Sequence, residues 1–315
     1  MSVIVVTGGA GFIGSNLAEE LFHQGHEVRV IDNFISGRLD NLVSFIDGIT
    51  LYDADILDPA ALDEALAGAD IVFHLAAVTP VPQSLEDPVT TTRTNEEGTV
   101  RVLDHSRRAG VKLVVFASSA AVYGNPEKLP LIEESTLGPL SPYAVSKLAG
   151  EYYCRVFSNL FGLQTISLRF FNVYGPRQDP DSSYAAVVPK FISTYLQGSR
   201  PVIFGDGNQT RDFAFVEDVV QVCCLLLKHE GQFNGDIINI STGRSTTVNE
   251  LARVVRSAVG SGEKPEHGAE RSGDIKHSVA NISRAQKLLG YDPGISLETG
   301  LKRTVEWYRA RVSNP

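Results

Sequence analysis

Tyr143 and Lys147 stand four residues apart in Ser141-Pro142-Tyr143-Ala144-Val145-Ser146-Lys147. In a helix that spacing puts a phenol and an ammonium on one face, one turn apart. Free tyrosine ionises near pH ~10 and is a poor base at neutral pH. An adjacent ammonium favours the phenolate, and bringing the ionisation down about three pH units takes ~4 kcal/mol, within reach of a desolvated cleft. The pair is then suited to taking a proton from an alcohol. Ser119 lies 24 residues earlier, in Ser118-Ser119-Ala120-Ala121-Val122-Tyr123-Gly124 at the end of an apolar run, and offers a hydroxyl to the same reacting group. Tyr-x-x-x-Lys alone is common on solvated helices, so the surrounding elements decide its meaning.

The most telling of these is Thr7-Gly8-Gly9-Ala10-Gly11-Phe12-Ile13-Gly14, which follows a strand-like run and opens a helix. Both Gly9-x-Gly11-x-x-Gly14 and the wider Gly8-x-x-Gly11-x-x-Gly14 are present. Glycines here permit a tight turn and close approach of backbone to a pyrophosphate, and the helix beginning at Phe12 and Ile13 turns free N–H groups toward the phosphates. Val30-Ile31-Asp32 ends the next strand about twenty residues downstream, as a dinucleotide fingerprint requires. Asp32 would accept hydrogen bonds from ribose hydroxyls and repel a 2′-phosphate, which favours NAD over NADP. The nearby Arg38 reads as a surface residue. Asp55 and Ile56 follow the third strand, where a carboxylate would take the adenine amine and an isoleucine would pack on the ring.

These motifs punctuate a regular alternation. Strand candidates Val3–Thr7, Glu27–Ile31, Thr50–Asp53, Ile71–His74, Leu113–Ala117, Thr165–Phe170 and Ile237–Ile240 are separated by helix-period segments such as Ile13–Gln24, Asn95–Ala109 and Tyr143–Phe161. Continuous apolar strands joined by helices predict an α/β fold, a doubly wound parallel Rossmann sheet covered on both faces, with a smaller α/β substrate-binding lobe. Asp58-Pro59 and Ser141-Pro142 are N-cap signals. Thr247-x-x-Glu250 and Ser283-x-x-Gln286 read as capping boxes. The alternation loosens after Gly175. Residues 1–175, with about 213–242 returning to the sheet, are expected to form the dinucleotide domain, and about 176–212 with 243–315 the smaller lobe.

The 315 residues carry a formal net charge of −9 and no basic stripe, which argues against a nucleic-acid partner. In an acidic protein an anionic ligand needs locally gathered cations, so arginines near a pocket gain meaning. Cys154, Cys223 and Cys224 are too few and too poorly spaced for a disulfide framework, and read as buried thiols of a reducing compartment. Met1–Val6 runs straight into the glycine loop and reads as a strand rather than a leader. No apolar run approaches the ~18–20 residues of a membrane span, so a cytoplasmic protein is expected. The histidines show no His-Glu-x-x-His pattern, His74 reads as packing in the cofactor cleft, and no metal site is expected.

Taken together, Gly8–Gly14, Asp32-Asn33, His74-Leu75-Ala76-Ala77, Asn95-x-x-Gly98-Thr99, Ser118–Gly124, Tyr143-x-x-x-Lys147, Arg169-x-Phe171-Asn172-x-Tyr174-Gly175 and Arg211-Asp212-Phe213 resemble the extended short-chain dehydrogenase/reductases. Within that family the chain is similar, over essentially its whole length, to the UDP-glucose (UDP-galactose) 4-epimerases. The resemblance implies tightly bound NAD, with Ser119 on the reacting hydroxyl, Tyr143 as base and Lys147 on the nicotinamide ribose. It implies cofactor contacts from Gly8, Gly11, Phe12, Ile13, Gly14, Asp32, Asn33, Asp55, Ile56, Leu75, Ala76, Ala77 and Asn95, although Asn95 reads equally well as a helix-capping residue. It also implies a homodimer through the helices over 95–109 and 143–161.

Members of this group share oxidation of the sugar C4 to a ketone, with hydride passing to NAD. The similar 4,6-dehydratases carry an Asp-Glu pair after the serine/threonine position, and nucleotide-sugar decarboxylases a glutamate; this chain has Ala120-Ala121. With no carboxylate there to take the C5 proton, the expected course is rotation of the 4-keto sugar and return of hydride to its other face, a reversible C4 epimerisation of a UDP-hexose. The alternatives are another 4-keto-forming enzyme, such as a UDP-glucuronate 4-epimerase, and a non-catalytic NAD or nucleotide-sugar sensor. Retention of Ser119, Tyr143 and Lys147 argues against the sensor. For the diphosphate the resemblance points to Asn172, Arg211 and Arg271, and for the uridine side to Val187, Phe204 and Asp274. Ser278 holds a position where members restricted to unacetylated hexoses carry a bulky side chain, so UDP-GlcNAc and UDP-GalNAc are expected to fit as well.

Overall fold

Ile4, Val5 and Val6 are buried, and so are Val114–Phe116 and Ile166–Leu168, whichever way their side chains point. Strands buried on both faces need helices on both sides of their sheet. The computed structural model describes residues 1–180, 186–270 and 275–313 and shows that arrangement. One parallel sheet contains β1 (Val3–Thr7), β2 (Glu27–Asp32), β3 (Thr50–Asp53), β4 (Ile71–His74), β5 (Leu113–Ser119), β6 (Gln164–Phe170) and the returning strand Asn234–Ile240. Across the sheet they run Asn234–Ile240, β6, β5, β4, β1, β2, β3. The order reverses between β4 and β1, so their carboxyl ends open the crevice where doubly wound sheets bind ligands. The Rossmann sheet expected from the alternation is the one that forms. β5 extends past the expected Ala117, and Ser119 stays in the ladder opposite Phe170, which fixes its backbone.

The helices that place the site are α1 (Phe12–His23), α2 (Pro59–Leu66), α3 (Val81–Glu86), α4 (Pro88–Thr92), α5 (Gly98–Ala109) and α6 (Pro142–Phe161). Local caps set several starts. Asp58 accepts from Ala60 N at the head of α2, and Ser141 Oγ accepts from Ala144 N at 3.1 Å at the head of α6. Thr247 Oγ1 likewise accepts from Glu250 N. The expected capping box at Ser283 is not made: Ile282 holds the N-cap position without a side-chain bond, and Asn281 Oδ1 accepts from Ser283 N instead. Asn95 does not cap a helix either. It lies inside a π turn, Arg93–Glu97, that joins α4 to α5 without a break. The wider turn departs from the 3.6-residue period on which the reading at 95 relied.

A second core gathers Val188, Phe191 and Ile192 with Leu251, Val255, Leu301 and Val305, and Tyr174, Phe213 and Phe215 pack into it. Short ladders stitch this region together, Asn172–Tyr174 with Phe213–Phe215 and Thr210–Arg211 with Thr246–Thr247. Among the described residues no helix is long and apolar enough to cross a membrane.

Candidate active site

The glycine loop is built by close backbone contact. Gly8 has φ +69°, and a Cβ on it would lie 2.7 Å from Ala76 N; a Cβ on Gly14 would lie 2.1 Å from the Gly8 carbonyl oxygen. Leu75 N donates to Thr7 O at 3.1 Å and Ala76 N to Thr7 Oγ1 at 3.3 Å, so the segment leading to Ala77 is held against the loop. α1 starts after Gly11 with no side-chain cap and no acid in its first turn, which leaves the positive helix end around Phe12, Ile13 and Gly14 open to an anion.

Asp32 is buried beside this loop. Its Oδ2 accepts from Ala10 N and its Oδ1 from Phe34 N, both at 2.9 Å, and each oxygen keeps a lone pair for a ribose hydroxyl. Burial raises its carboxyl above the usual carboxylate value, against the pull of the two backbone bonds. Asn33 Nδ2 reaches Asp55 Oδ2 at 2.8 Å, which joins the loops after β2 and β3. Ile56 is packed against Gly98 of α5, where a Cβ would come within 2.5 Å of its Cδ1. Arg38 faces Asp40 on the surface. A glycine cradle, an open helix end and a carboxylate where a 2′-phosphate would sit together fit NAD.

Asn95 has a different place in the cleft from that of a cap. Its Oδ1 accepts from Val78 N, and its Nδ2 donates to Val78 O at 2.9 Å and Ser146 Oγ at 3.0 Å. Both amide hydrogens are thereby engaged, and they brace the segment after Ala77 against α6, one residue before Lys147. His74 is a second brace. Its two ring nitrogens bond Thr7 Oγ1 at 2.8 Å and Thr99 Oγ1 at 2.9 Å, and burial, helped by the charge of Lys147, lowers its pKa to about 3.

Ser119, Tyr143 and Lys147 converge at the carboxyl end of β5. Ser119 Oγ accepts from Ala121 N at 3.1 Å, capping the 3-10 turn Ala120–Tyr123. Lys147 is buried; its Nζ donates to Ala117 O at 2.8 Å and lies 5.9 Å from the centre of the Tyr143 ring. Burial lowers the Lys147 ammonium to about 8. Burial also pushes the Tyr143 phenol up, opposed by a hydrogen bond with Ser119. That direction is opposite to the one expected from helix spacing. In the cleft by itself desolvation outweighs the neighbouring ammonium, which is turned to the Ala117 carbonyl.

On the substrate side, Asn172 directs both its backbone N and its Nδ2 at Asp212 O, at 3.2 and 3.3 Å. Arg211 Nη1 donates to Thr210 O, and Ser278 N donates to the same carbonyl, so these two candidates are neighbours. Phe204 lines a cavity of about 260 Å³ with Gln209, Lys276 and His277. Val187 begins the helix Val187–Leu196 and packs on the second core. Arg271 and Asp274 lie outside the described residues. Asp212, which the sequence placed in a motif without a role, is inaccessible and accepts from Thr242 N and Oγ1 and from Gly243 N and Ala280 N. An aspartate placed before the apolar run Phe213–Phe215 was the available signal.

A doubly wound sheet with a glycine cradle at its switch point is the architecture of a nicotinamide dinucleotide enzyme. Residues 4–241 match the NAD dependent epimerase/dehydratase family, and the chain belongs to it as an NAD-dependent enzyme of the extended short-chain dehydrogenase/reductase type. It is 41% identical over 310 residues to the UDP-glucose 4-epimerase of Mycolicibacterium smegmatis, a match covering 97% of this chain and 98% of the relative. The structure of a UDP-N-acetylglucosamine 4-epimerase from Methanobrevibacter ruminantium in complex with UDP-N-acetylmuramic acid is 38% identical, with a TM-score of 0.94 over 98% of this chain and 99% of that one. The UDP-glucose 4-epimerase of Thermotoga maritima with UDP-glucose is 37% identical, with a TM-score of 0.93 over the same shares.

Proposed function

We propose that the chain interconverts UDP-hexoses at C4 through a transient 4-keto sugar. The observation that carries this reading is the turn after Ser119. Ala120 and Ala121 occupy the two positions that follow it, so the turn presents no carboxylate to a C5 proton. A ketone formed at C4 then has hydride return, rather than elimination, as its exit.

NAD, held by the glycine loop and Asp32, would supply a hydride acceptor and, in its reduced form, a hydride donor. Ser119 orients the C4 hydroxyl, and Tyr143 takes its proton and later gives it back. Because burial holds the phenol up, its ionisation needs positive charge beyond the Ser119 bond, and Lys147, whose Nζ lies 5.9 Å from the centre of the Tyr143 ring, is placed to supply it. Asn172 and Arg211 hold the diphosphate, Phe204 lies toward the uridine, and Ser278 leaves space for an N-acetyl group.

Separate incubations with UDP-glucose, UDP-GlcNAc and UDP-glucuronate, followed by proton NMR, test the reading. The C4 epimer should appear from the first two; a 4-keto-6-deoxy sugar or a pentose would overturn it. Tyr143→Phe should still bind UDP-sugar but lose roughly 10³-fold or more in turnover. Ser278→Tyr should depress turnover of the acetylated sugar selectively.

A further inference from the structure

We propose that the buried Arg169–Glu151 ion pair is a positioning device that sets where Ser119 stands relative to Tyr143 and Lys147. The proposal rests on those three residues forming the reacting face. The side chains of Arg169 and Glu151 are only 1% and 2% exposed, and they meet as a fork, Nε to Oε1 at 2.8 Å and Nη2 to Oε2 at 2.7 Å. Desolvation makes a buried pair a poor source of stability, since well-packed apolar residues often do as well. What such a pair supplies is a defined geometry between the elements that carry it.

Those elements are the ones that carry the chemistry. Glu151 lies on α6, one turn beyond Lys147 and two beyond Tyr143. Ser118 Oγ donates to Glu151 Oε1 at 2.5 Å, which ties down the residue before Ser119. Arg169 Nη1 donates to Tyr123 Oη at 2.8 Å, and the guanidinium lies 4.7 Å from the centre of that ring. Tyr123 closes the turn that Ser119 caps, and its hydroxyl donates to Asn239 Oδ1 on the outer strand at 2.7 Å. The chain on both sides of Ser119 is therefore fastened to one ion pair, and the carboxylate of that pair belongs to the helix of the base. Burial by itself would lower the Arg169 guanidinium, but its bonds to Glu151 outweigh this and hold it above its usual value, so the tie keeps its charge across the working pH range.

The NAD-loaded full chain tests this with three variants. Ser118→Ala removes the tie before Ser119 and keeps the ion pair. Arg169→Met with Glu151→Leu replaces the pair by apolar side chains. Ser158→Ala is the control: Ser158 is buried on the same helix and bonds Leu163 O and Thr165 Oγ1, away from the reacting face. The first readout is ionisation of Tyr143, taken as tyrosinate difference absorbance between each protein and its Tyr143→Phe counterpart, and it requires no knowledge of the sugar. Ser118→Ala and the double variant should move that ionisation up by about one pH unit as the Ser119 bond is lost. With UDP-hexose, kcat should fall about ten-fold while KM stays within about two-fold. Ser158→Ala should lower thermal stability and move neither quantity. Unchanged ionisation in Ser118→Ala and the double variant, or an equal shift in Ser158→Ala, would overturn the proposal. Failure of the wild-type protein to turn over any UDP-hexose would overturn the proposed function, and the ionisation readout would still decide this one.

Discussion

Lys147 Nζ donates to the carbonyl oxygen of Ala117 across 2.8 Å, which pins the helix carrying the ammonium to the strand that ends in Ser119. Burial lowers that ammonium from 10.5 to about 8. Between these values the unfolded chain binds more protons at this lysine than the folded one, so stability from this site rises with pH across the window. A Lys147→Met variant should be the more stable protein at neutral pH, and its advantage in Tm should shrink from about pH 8 upward. A gap that stays flat or widens would contradict a buried, charged Lys147. The same variant should lose at least ~10²-fold in turnover.

Gly14→Ala puts a Cβ within 2.1 Å of the Gly8 carbonyl, a backbone atom that cannot move without opening the loop. The expected cost is ~2–4 kcal/mol of stability, together with loss of NAD. Gly262, where a Cβ meets nothing within 4 Å, is the matched control. Denaturant midpoints and NAD content after purification distinguish the two; normal NAD content in Gly14→Ala would show that the cofactor does not rest on this loop.

His74 is neutral in the fold because burial lowers its pKa from 6.5 to about 3. Its contribution is fully present above about 6.5 and is lost as pH falls toward 3, because the unfolded chain takes up the proton first. At pH 5.5 the loss amounts to about 1.4 kcal/mol. His74→Gln should abolish that part of the acid sensitivity. Equal loss of stability in both proteins between pH 7.5 and 5.5 would remove His74 as its source.

The exposed face of α6 carries Tyr152, Val156, Leu160 and Phe161, with Leu160 72% exposed, and Val89 of α4 is 76% exposed. Large apolar side chains exposed at four-residue spacing on one helix face, as Tyr152, Val156 and Leu160 are, suit a protein–protein contact. A homodimer through the helices over 95–109 and 143–161 is the expected assembly, and Leu160→Glu should give monomers in gel filtration with light scattering. Monomeric wild-type protein at micromolar concentration would dispose of the dimer.

Much of the site was legible because its signals are local. The glycine spacing before α1, Asp32 at the end of β2, and Tyr143 and Lys147 one turn apart each depend on a few consecutive residues and on the period of one element. The partners of Arg169, Asp212 and His74 were not legible, since each is bonded to groups that come from separate elements. Asn95 read equally well as a cofactor contact and as a cap; it caps no helix, because it lies within a π turn and its side chain is bonded to Val78 and Ser146, which come from other segments of the chain.

The residues that can do chemistry, and the alternation that carries them to one edge of a parallel sheet, were determined by the sequence alone. Only the tertiary structure decided how those residues ionise and what holds them apart. Desolvation of Tyr143 and Lys147 depends on every segment that closes over them, and the fork between Arg169 and Glu151 exists only once β6 lies beneath α6.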